Sequence, residues 1–235
     1  MCGICGIYNF NSNKIDQEEL IKFTQSLSHR GPDSSSHYIN KEFNFGMGHT
    51  RLSIIDISLK GLQPMKSSDE RFYISFNGEI YNYIEIKKEL ENKGYIFHSN
   101  TDTEVLMNAF IEWGENCQKK FNGMWAFAIW DNKNKSIFMS RDRYGIKPIY
   151  YFYLNNRFYF ASELKSFMKL NRQNIPDFNH NEFMYLGKGD MSEDTILKNV
   201  NLLSAGHQLK INLNGRLEIK KWWNTLENLV DIPNN

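Results

Sequence analysis

Met1-Cys2-Gly3-Ile4-Cys5-Gly6-Ile7-Tyr8-Asn9-Phe10 opens the 235-residue sequence, and residues 3–10 read as a strand entered directly from the first residues. Removal of Met1, expected when the next side chain is small, leaves Cys2 as residue one of the mature chain. A terminal cysteine carries a nucleophilic thiol and, on the same residue, an α-amine that can act as its base. Their reference pKa values are about 8.5 and about 7.7–8.0, so moving the proton from sulfur to nitrogen costs no more than about 1 kcal/mol. That pairing replaces the histidine on which other cysteine nucleophiles depend. Gly3 and Gly6 permit close backbone approach, and a strand that begins at once holds the terminus rigid, unlike a frayed tail. Taken alone, Cys2 also reads as an early, oxidisable residue. Cys2-Gly3-Ile4-Cys5 is a C-x-x-C run as well. No second such pair and no H-x-x-x-H accompanies it, and Cys117 stands alone, which argues against zinc or redox chemistry. Cys5 reads as a small buried residue on the first strand.

Composition narrows the function classes. Hydrophobic residues at 41% and charged residues at 23% exclude wholesale disorder. Lys plus Arg total 28 against 27 Asp plus Glu, a net charge of +1, which argues against a dedicated nucleic-acid binder and gives no electrostatic reason to sit on an anionic membrane. No apolar run approaches the roughly 20 residues of a membrane span. The start has no basic stretch followed by an apolar one, so it does not read as a secretory signal. Three cysteines are too few, and odd in number, for a disulfide scaffold. The expected compartment is the reduced cytoplasm.

Periodicity predicts a helix over 17–28 with Leu20, Phe23 and Leu27 on one face, broken by His29-Arg30-Gly31-Pro32-Asp33. Strands are predicted over 43–56 and 72–76, and a helix over 83–93 that Gly94 stops. Thr101 followed by Glu104 resembles a capping box, opening a helix with Leu106, Phe110 and Trp113 in a stripe that ends at Gly114. Strands over 124–130, 136–140, 149–154 and 157–161 follow, with turns at 132–135 and Asn155-Asn156. The aromatic-rich block from Trp125 to Phe160 reads as core sheet, not as a base-stacking platform. Short helices are predicted over 162–168 and 179–186, and a last hairpin pairs 208–212 with 217–221 across Asn214-Gly215. The class is α+β in packed layers, with no linker before about residue 222.

Seven motifs then stand in order: Cys2-Gly3-Ile4, His29-Arg30-Gly31-Pro32-Asp33, His49-Thr50-Arg51-Leu52-Ser53-Ile54-Ile55-Asp56, Gln63-Pro64-Met65, Phe76-Asn77-Gly78-Glu79-Ile80-Tyr81-Asn82, Thr101-Asp102-Thr103-Glu104, and Arg141-Asp142-Arg143-Tyr144-Gly145-Ile146-Lys147-Pro148. Together they resemble the glutaminase domain of glutamine-hydrolysing asparagine synthetase, a class II glutamine amidotransferase. The resemblance runs from Cys2 to about Trp223. It implies the N-terminal nucleophile hydrolase fold, a four-layer αββα sandwich of antiparallel sheets, over residues 1–223, with 224–235 as a tail leading toward a synthetase domain. Two departures occur: Ser204-Ala205-Gly206-His207 stands where the family often has Pro-Pro-Gly-His, and Tyr144 where relatives have Phe. Neither touches the implied site.

The same resemblance implies roles. Cys2 is the nucleophile and its α-amine the base. Asn77, through its side-chain amide, and Gly78, through its N–H, form the oxyanion hole. Arg51 pairs with the α-carboxylate of L-glutamine, Asp102 and Glu79 hold its α-ammonium, and the backbone of Leu52, Ser53, Ile54 and Ile55 lines the pocket. The residue types suit the task, because a guanidinium fork matches a carboxylate and each donor aimed at a developing oxyanion is worth roughly 2.7–4 kcal/mol. Taken singly, other readings stay open. Asp102 can simply charge a helix N-terminus, Arg51 can be a solvated strand-end arginine, and Asn77-Gly78 can be a hairpin turn. His29 and His49 read as structural rather than as bases.

No metal and no cofactor is expected in this chain. ATP and Mg belong, by the resemblance, to a synthetase domain with a Ser-Gly-Gly-Leu-Asp-Ser type pyrophosphate loop, and no such run or Walker loop occurs in the sequence. The chain is therefore expected to release ammonia and glutamate from glutamine and not to make asparagine alone. The rival reading is a non-catalytic or partner-dependent module docking on a separate synthetase subunit. A third is a fragment of a longer enzyme. Expected partners are L-glutamine and a synthetase domain or subunit, with no nucleic acid and no membrane, and a homodimer left open.

Overall fold

Strand alternation explains why so much of this sequence is buried on both faces. The computed structural model describes residues 1–11, 13–178 and 195–228. In chain order its strands are β1 (Gly3–Asn9), β2 (Ser34–Ile39), β3 (Phe45–Arg51), β4 (Met65–Lys66), β5 (Phe72–Ile80), β6 (Gly123–Asp131), β7 (Ser136–Arg141), β8 (Tyr150–Leu154), β9 (Arg157–Ala161), β10 (Val200–Leu202), β11 (His207–Ile211) and β12 (Leu217–Lys221). The helices are α1 (Gln17–Gln25), α2 (Tyr83–Glu91) and α3 (Asp102–Trp113). Among the described residues the strands form two antiparallel sheets, ordered β10-β8-β9-β1-β3-β2 and β12-β11-β7-β6-β5-β4.

Successive side chains of a strand point to opposite faces. On β1, Ile4 and Tyr8 meet Ala126, Ala128, Trp130 and Met139 of the second sheet. Cys5 and Ile7 turn the other way and pack with Leu20, Phe23 and Leu27 around α1. On the second sheet, Ile74, Phe76, Phe127 and Ile129 face Ile86, Leu90, Val105 and Leu106 of α2 and α3. The layers run helix, sheet, sheet, helix, which is the αββα sandwich expected. Phe45 and Trp130 lock the two sheets, with ring centroids 4.0 Å apart and an interplanar angle of 9°.

The same alternation positions the site. Carried one step back from Ile4, it sets Cys2 on the face of the first sheet that looks at the second. Tyr73 of β5 belongs to the inter-sheet core while Phe72, Ile74 and Phe76 belong to the helix side. Asn77 is therefore turned toward the first sheet. Gly3 must be glycine for the strand to start here, since a Cβ would lie 2.6 Å from Thr50 Oγ1 and 2.7 Å from Leu27 Cβ.

Several predicted boundaries move. The strand predicted over 43–56 stops at Arg51, because Asp33 Oδ2 takes the Ser53 N–H at 2.7 Å and pulls the chain off the sheet. The strand predicted over 72–76 continues to Ile80, paired with β6 throughout. Helix α1 stops at Gln25, three residues early, although Leu27 stays buried. Residues Leu164–Lys169 form a 3-10 helix where a short helix over 162–168 is predicted. The helix predicted over 179–186 lies outside the described residues. Thr101 Oγ1 accepts from Glu104 N at 3.2 Å, but the Glu104 carboxylate takes the N–H groups of His98 and Ser99, so the capping box is half made. Among the described residues no helix is long and apolar enough to cross a membrane.

Candidate active site

The chain start is tied down by a charged clasp. Arg30 Nε donates to the Cys2 carbonyl at 2.8 Å, and Arg30 Nη1 donates to Glu163 Oε1 at 2.9 Å. His29 Nε2 lies 2.9 Å from the same carboxylate oxygen. Burial pushes the Glu163 carboxyl up, but Arg30, His29 and Lys165 outweigh it and hold the group down at about 2. His29 is thus part of the clasp, away from the thiol. The Leu52 N–H approaches Cys2 Sγ at 3.4 Å. Burial raises the thiol pKa above its ordinary value, opposed by that N–H, by the terminal amine and by Arg51. Cys5 is fully buried, 3.4 Å from Thr24 Oγ1, and its thiol is pushed up to about 12 by burial. Cys117 is also buried and unpaired. Cys2 is the cysteine that meets the cavity beside it.

That cavity, about 220 Å³, brings together Cys2, Arg51, Leu52, Ile54, Ile55, Asn77, Gly78, Glu79 and Asp102. Ser53 is not among its walls; its N–H is the one held by Asp33. Arg51, 8% exposed, ends β3 directly opposite the terminus. Its Nη1 donates to Ser58 O at 2.8 Å and its Nη2 to Asp56 O, leaving three of the five guanidinium protons uncommitted among the described residues. Asp102 sits on the first turn of α3, and its Oδ2 accepts the Ile80 N–H at 3.0 Å. Burial, with Glu79 adding to it, raises the Asp102 carboxyl to about 6. An arginine and a carboxylate thus stand in one small cavity without pairing to each other.

Asn77 and Gly78 lie inside β5, opposite Ala126 and Trp125, so they form no hairpin turn. Asn77 is 1% exposed and its Nδ2 has no hydrogen-bond partner among the described residues. A buried donor without a partner costs about 1–3 kcal/mol and calls for an explanation. Trp125 directs its N–H at Asp142 Oδ2 and its carbonyl at the Asp142 N–H, away from β5. The Gly78–Trp125 pair is therefore a non-hydrogen-bonded one, with Gly78 N–H pointing off the far edge of β5. Along that edge Gln63 Oε1 takes the Phe76 N–H at 2.6 Å and Asp102 takes that of Ile80, which leaves the Gly78 N–H between them for the cavity. A Cβ at Gly78 would lie 2.3 Å from Met124 O. His49 Nε2 donates to Phe76 O at 3.2 Å and burial lowers its pKa to about 4, so it is a neutral tie between the sheets rather than a base.

Some residues acquire a place that their motifs did not disclose. Gln63, besides holding Phe76, donates through Nε2 to Thr103 Oγ1 at 3.1 Å and ties β5 to α3. The Asp142 carboxylate accepts N–H groups from Trp125, Tyr144, Ile146 and Lys147 and so fixes the turn after β7. Lys147 joins the cavity wall. The signal for Gln63 and Asp142 was an amide or acidic residue, and for Lys147 a basic one, inside a turn-forming motif, which does not say what it will hold. Among the described residues no three His, Cys, Asp or Glu side chains come together as a group that could hold a metal ion.

Comparison with known proteins shows the family and the fold. The glutamine amidotransferase domain family matches residues 1–223. Glutamine-hydrolysing asparagine synthetase 1 of Bacillus subtilis (strain 168) is 47% identical over 171 residues, 72% of this chain and 27% of that protein. A putative glutamine-hydrolysing asparagine synthetase 2 of Methanocaldococcus jannaschii is 39% identical over 242 residues, 95% of this chain and 46% of that protein. The chain thus spans between about a quarter and a half of the length of these relatives. Two solved structures share the fold at 19% identity: the glutamine phosphoribosylpyrophosphate amidotransferase from B. subtilis complexed with ADP and GMP (TM-score 0.68) and the allosteric regulatory enzyme of purine biosynthesis (TM-score 0.71), each covering 94% of this chain and 49% of the other. The fold is that of the N-terminal nucleophile amidotransferases, and the chain belongs to the glutamine amidotransferase domain family.

Proposed function

We propose that this chain hydrolyses L-glutamine to glutamate and ammonia through a thioester on Cys2. One observation carries the reading. A thiol, an unpartnered buried amide donor at Asn77, the Gly78 N–H and two opposite charges, Arg51 and Asp102, share one cavity of about 220 Å³. Removal of Met1 exposes the Cys2 α-amine, which takes the thiol proton. The thiolate attacks the side-chain amide carbon, and the negative charge gathering on oxygen is met by Asn77 Nδ2 and Gly78 N–H. The protonated amine hands its proton to the departing nitrogen, which leaves as ammonia. A water molecule, giving a proton to the same amine, then cleaves the thioester and frees glutamate. Arg51 offers its uncommitted N–H groups to the substrate α-carboxylate, while Asp102 and Glu79 take the α-ammonium. Leu52, Ile54 and Ile55 wall the substrate; Ser53 serves by holding that segment to Asp33. We assign residues 1–223 to this domain. The ammonia goes to an ATP-dependent asparagine synthetase domain or subunit, with 224–235 leading toward it. A reducing cytoplasm suits the thiol chemistry.

Asp102 supplies the test. Its pKa is raised from 3.8 to about 6 by burial, so the folded chain holds this proton more tightly than the unfolded chain. Stability from this group is present at low pH and is lost as pH rises from about 4 to about 6, a cost of about 3 kcal/mol once the carboxylate is ionised. A bound ammonium offsets that cost. Below pH 6 glutamine must displace the proton, so KM for glutamine is expected to rise up to tenfold per pH unit, while Asp102→Asn raises KM at pH 8 and flattens this dependence. Glutamate release followed from pH 5 to 8 measures it; a wild-type KM constant across pH 5–7 contradicts the assignment of Asp102.

A further inference from the structure

Lys147 is a buried cation that the mechanism above does not use. It is 6% exposed, lines the cavity, and makes no salt bridge among the described residues. Its Nζ donates to Met1 Sδ at 3.2 Å, and Arg30 Nη2 approaches the same sulfur at 3.9 Å. Its backbone is held fast: its N–H goes to Asp142 Oδ2 at 3.0 Å and its carbonyl accepts from Arg141 Nε at 3.0 Å. Arg141 also grips Leu203 O and Gly145 O, so the turn cannot easily carry the lysine elsewhere. A lysine so buried usually ends on a carboxylate. The nearest carboxylate along the chain, Asp142, already accepts four backbone N–H groups. Glu163 is engaged by Arg30, His29 and Lys165. Burial and then the neighbouring Arg30 lower the Lys147 pKa, with Asp142, Cys2 and Glu79 opposing. The fold therefore spends a buried, unpaired ammonium on the place where Met1 sits.

We propose that Lys147 is a positioning residue for the proton transfer: once Met1 is removed, its ammonium stands against the Cys2 α-amine and keeps that amine in its unprotonated form. This rests on the reading of Cys2 as a terminal nucleophile. The titratable and charged groups of the cavity that the amine faces are Lys147 from the β7–β8 turn, Arg51 at the end of β3, Asp56 beyond it, Glu79 on β5, Asp102 on α3 and the Cys2 thiol itself, with Arg30 on the Cys2 carbonyl and Glu163 behind it. The two cations that touch Met1 are Lys147 and Arg30. A like charge disfavours the protonated amine, so the base becomes available at lower pH, and the thiolate is favoured by the same charge.

Lys147→Met keeps length and removes the charge; Lys147→Gln does the same with a polar end, should the first variant fail to fold. Both, with Lys147→Arg and the wild type, are prepared with the terminus of Cys2 verified by intact mass. Two profiles are read against pH: kcat/KM for glutamine and the rate of Cys2 alkylation by iodoacetamide. Loss of the charge is expected to move the acidic midpoint of both profiles upward by about half to one pH unit, and Lys147→Arg to return it. Coincident profiles, or a uniform loss at every pH with the midpoint unmoved, overturn the proposal. Should the wild type fail to hydrolyse glutamine, the functional reading falls, and the alkylation profile still decides the place of Lys147.

Discussion

Cys2→Ala is expected to lower glutamine turnover by about 10⁴-fold or more, because no other group in the cavity can form the thioester. Cys5 and Cys117 are both buried in apolar surroundings and cannot substitute. The fold should be indifferent. Cys2 precedes β1, and among the described residues its thiol has contacts only with Leu52 at hydrogen-bond range. The clasp on the terminus runs through the Cys2 carbonyl, which alanine keeps. Thermal unfolding of the variant should therefore lie within a few degrees of wild type while ammonia release disappears. Undiminished turnover refutes the assignment of the nucleophile.

Asn77→Ala should separate activity from stability in the opposite sense to an ordinary core truncation. Its Nδ2 is buried with no partner, so removing it breaks no bond in the free chain and relieves an unsatisfied donor. In the proposed mechanism the donor acquires a partner only when charge develops on the amide oxygen. The expected result is kcat lower by about 10²–10³-fold with KM nearly unchanged, and a melting temperature equal to or above wild type. Steady-state kinetics beside a thermal melt measures both. A large rise in KM with kcat intact would make Asn77 a substrate-binding group instead.

These two residues also show what a sequence can disclose. The role proposed for Cys2 is legible because it follows from chain position together with the motifs that accompany it. Asn77-Gly78 is ambiguous as a sequence, since Asn-Gly favours turns; only pairing with β6 over the whole of β5 decides it. The outcome of Leu52-Ser53-Ile54-Ile55 is hidden for a similar reason. Its residues suit a strand, and a remote carboxylate, Asp33, draws it out of the sheet. Strand β2 begins Ser34-Ser35-Ser36-His37, with none of the branched or aromatic residues that announce a strand, and exists because β3 offers it an edge. By contrast the β8–β9 hairpin is written locally, with Asn155 and Asn156 both at positive φ, 49° and 60°. Arg51 and Asp102 are suggested by charge and motif, yet their failure to pair with each other, on which the reading of substrate binding rests, is a tertiary fact. Lys147 belongs with them. The turn-forming motif around it is visible in the sequence, but its burial without a carboxylate partner among the described residues is not.

The most direct measurement is the intact mass and peptide map of the purified chain after reaction with an electrophilic glutamine analogue. The account predicts molecules that lack Met1 and carry a single label, on Cys2, with label uptake and loss of glutaminase activity in step. A label on Cys5 or Cys117, or full turnover by molecules that still carry Met1, would contradict it.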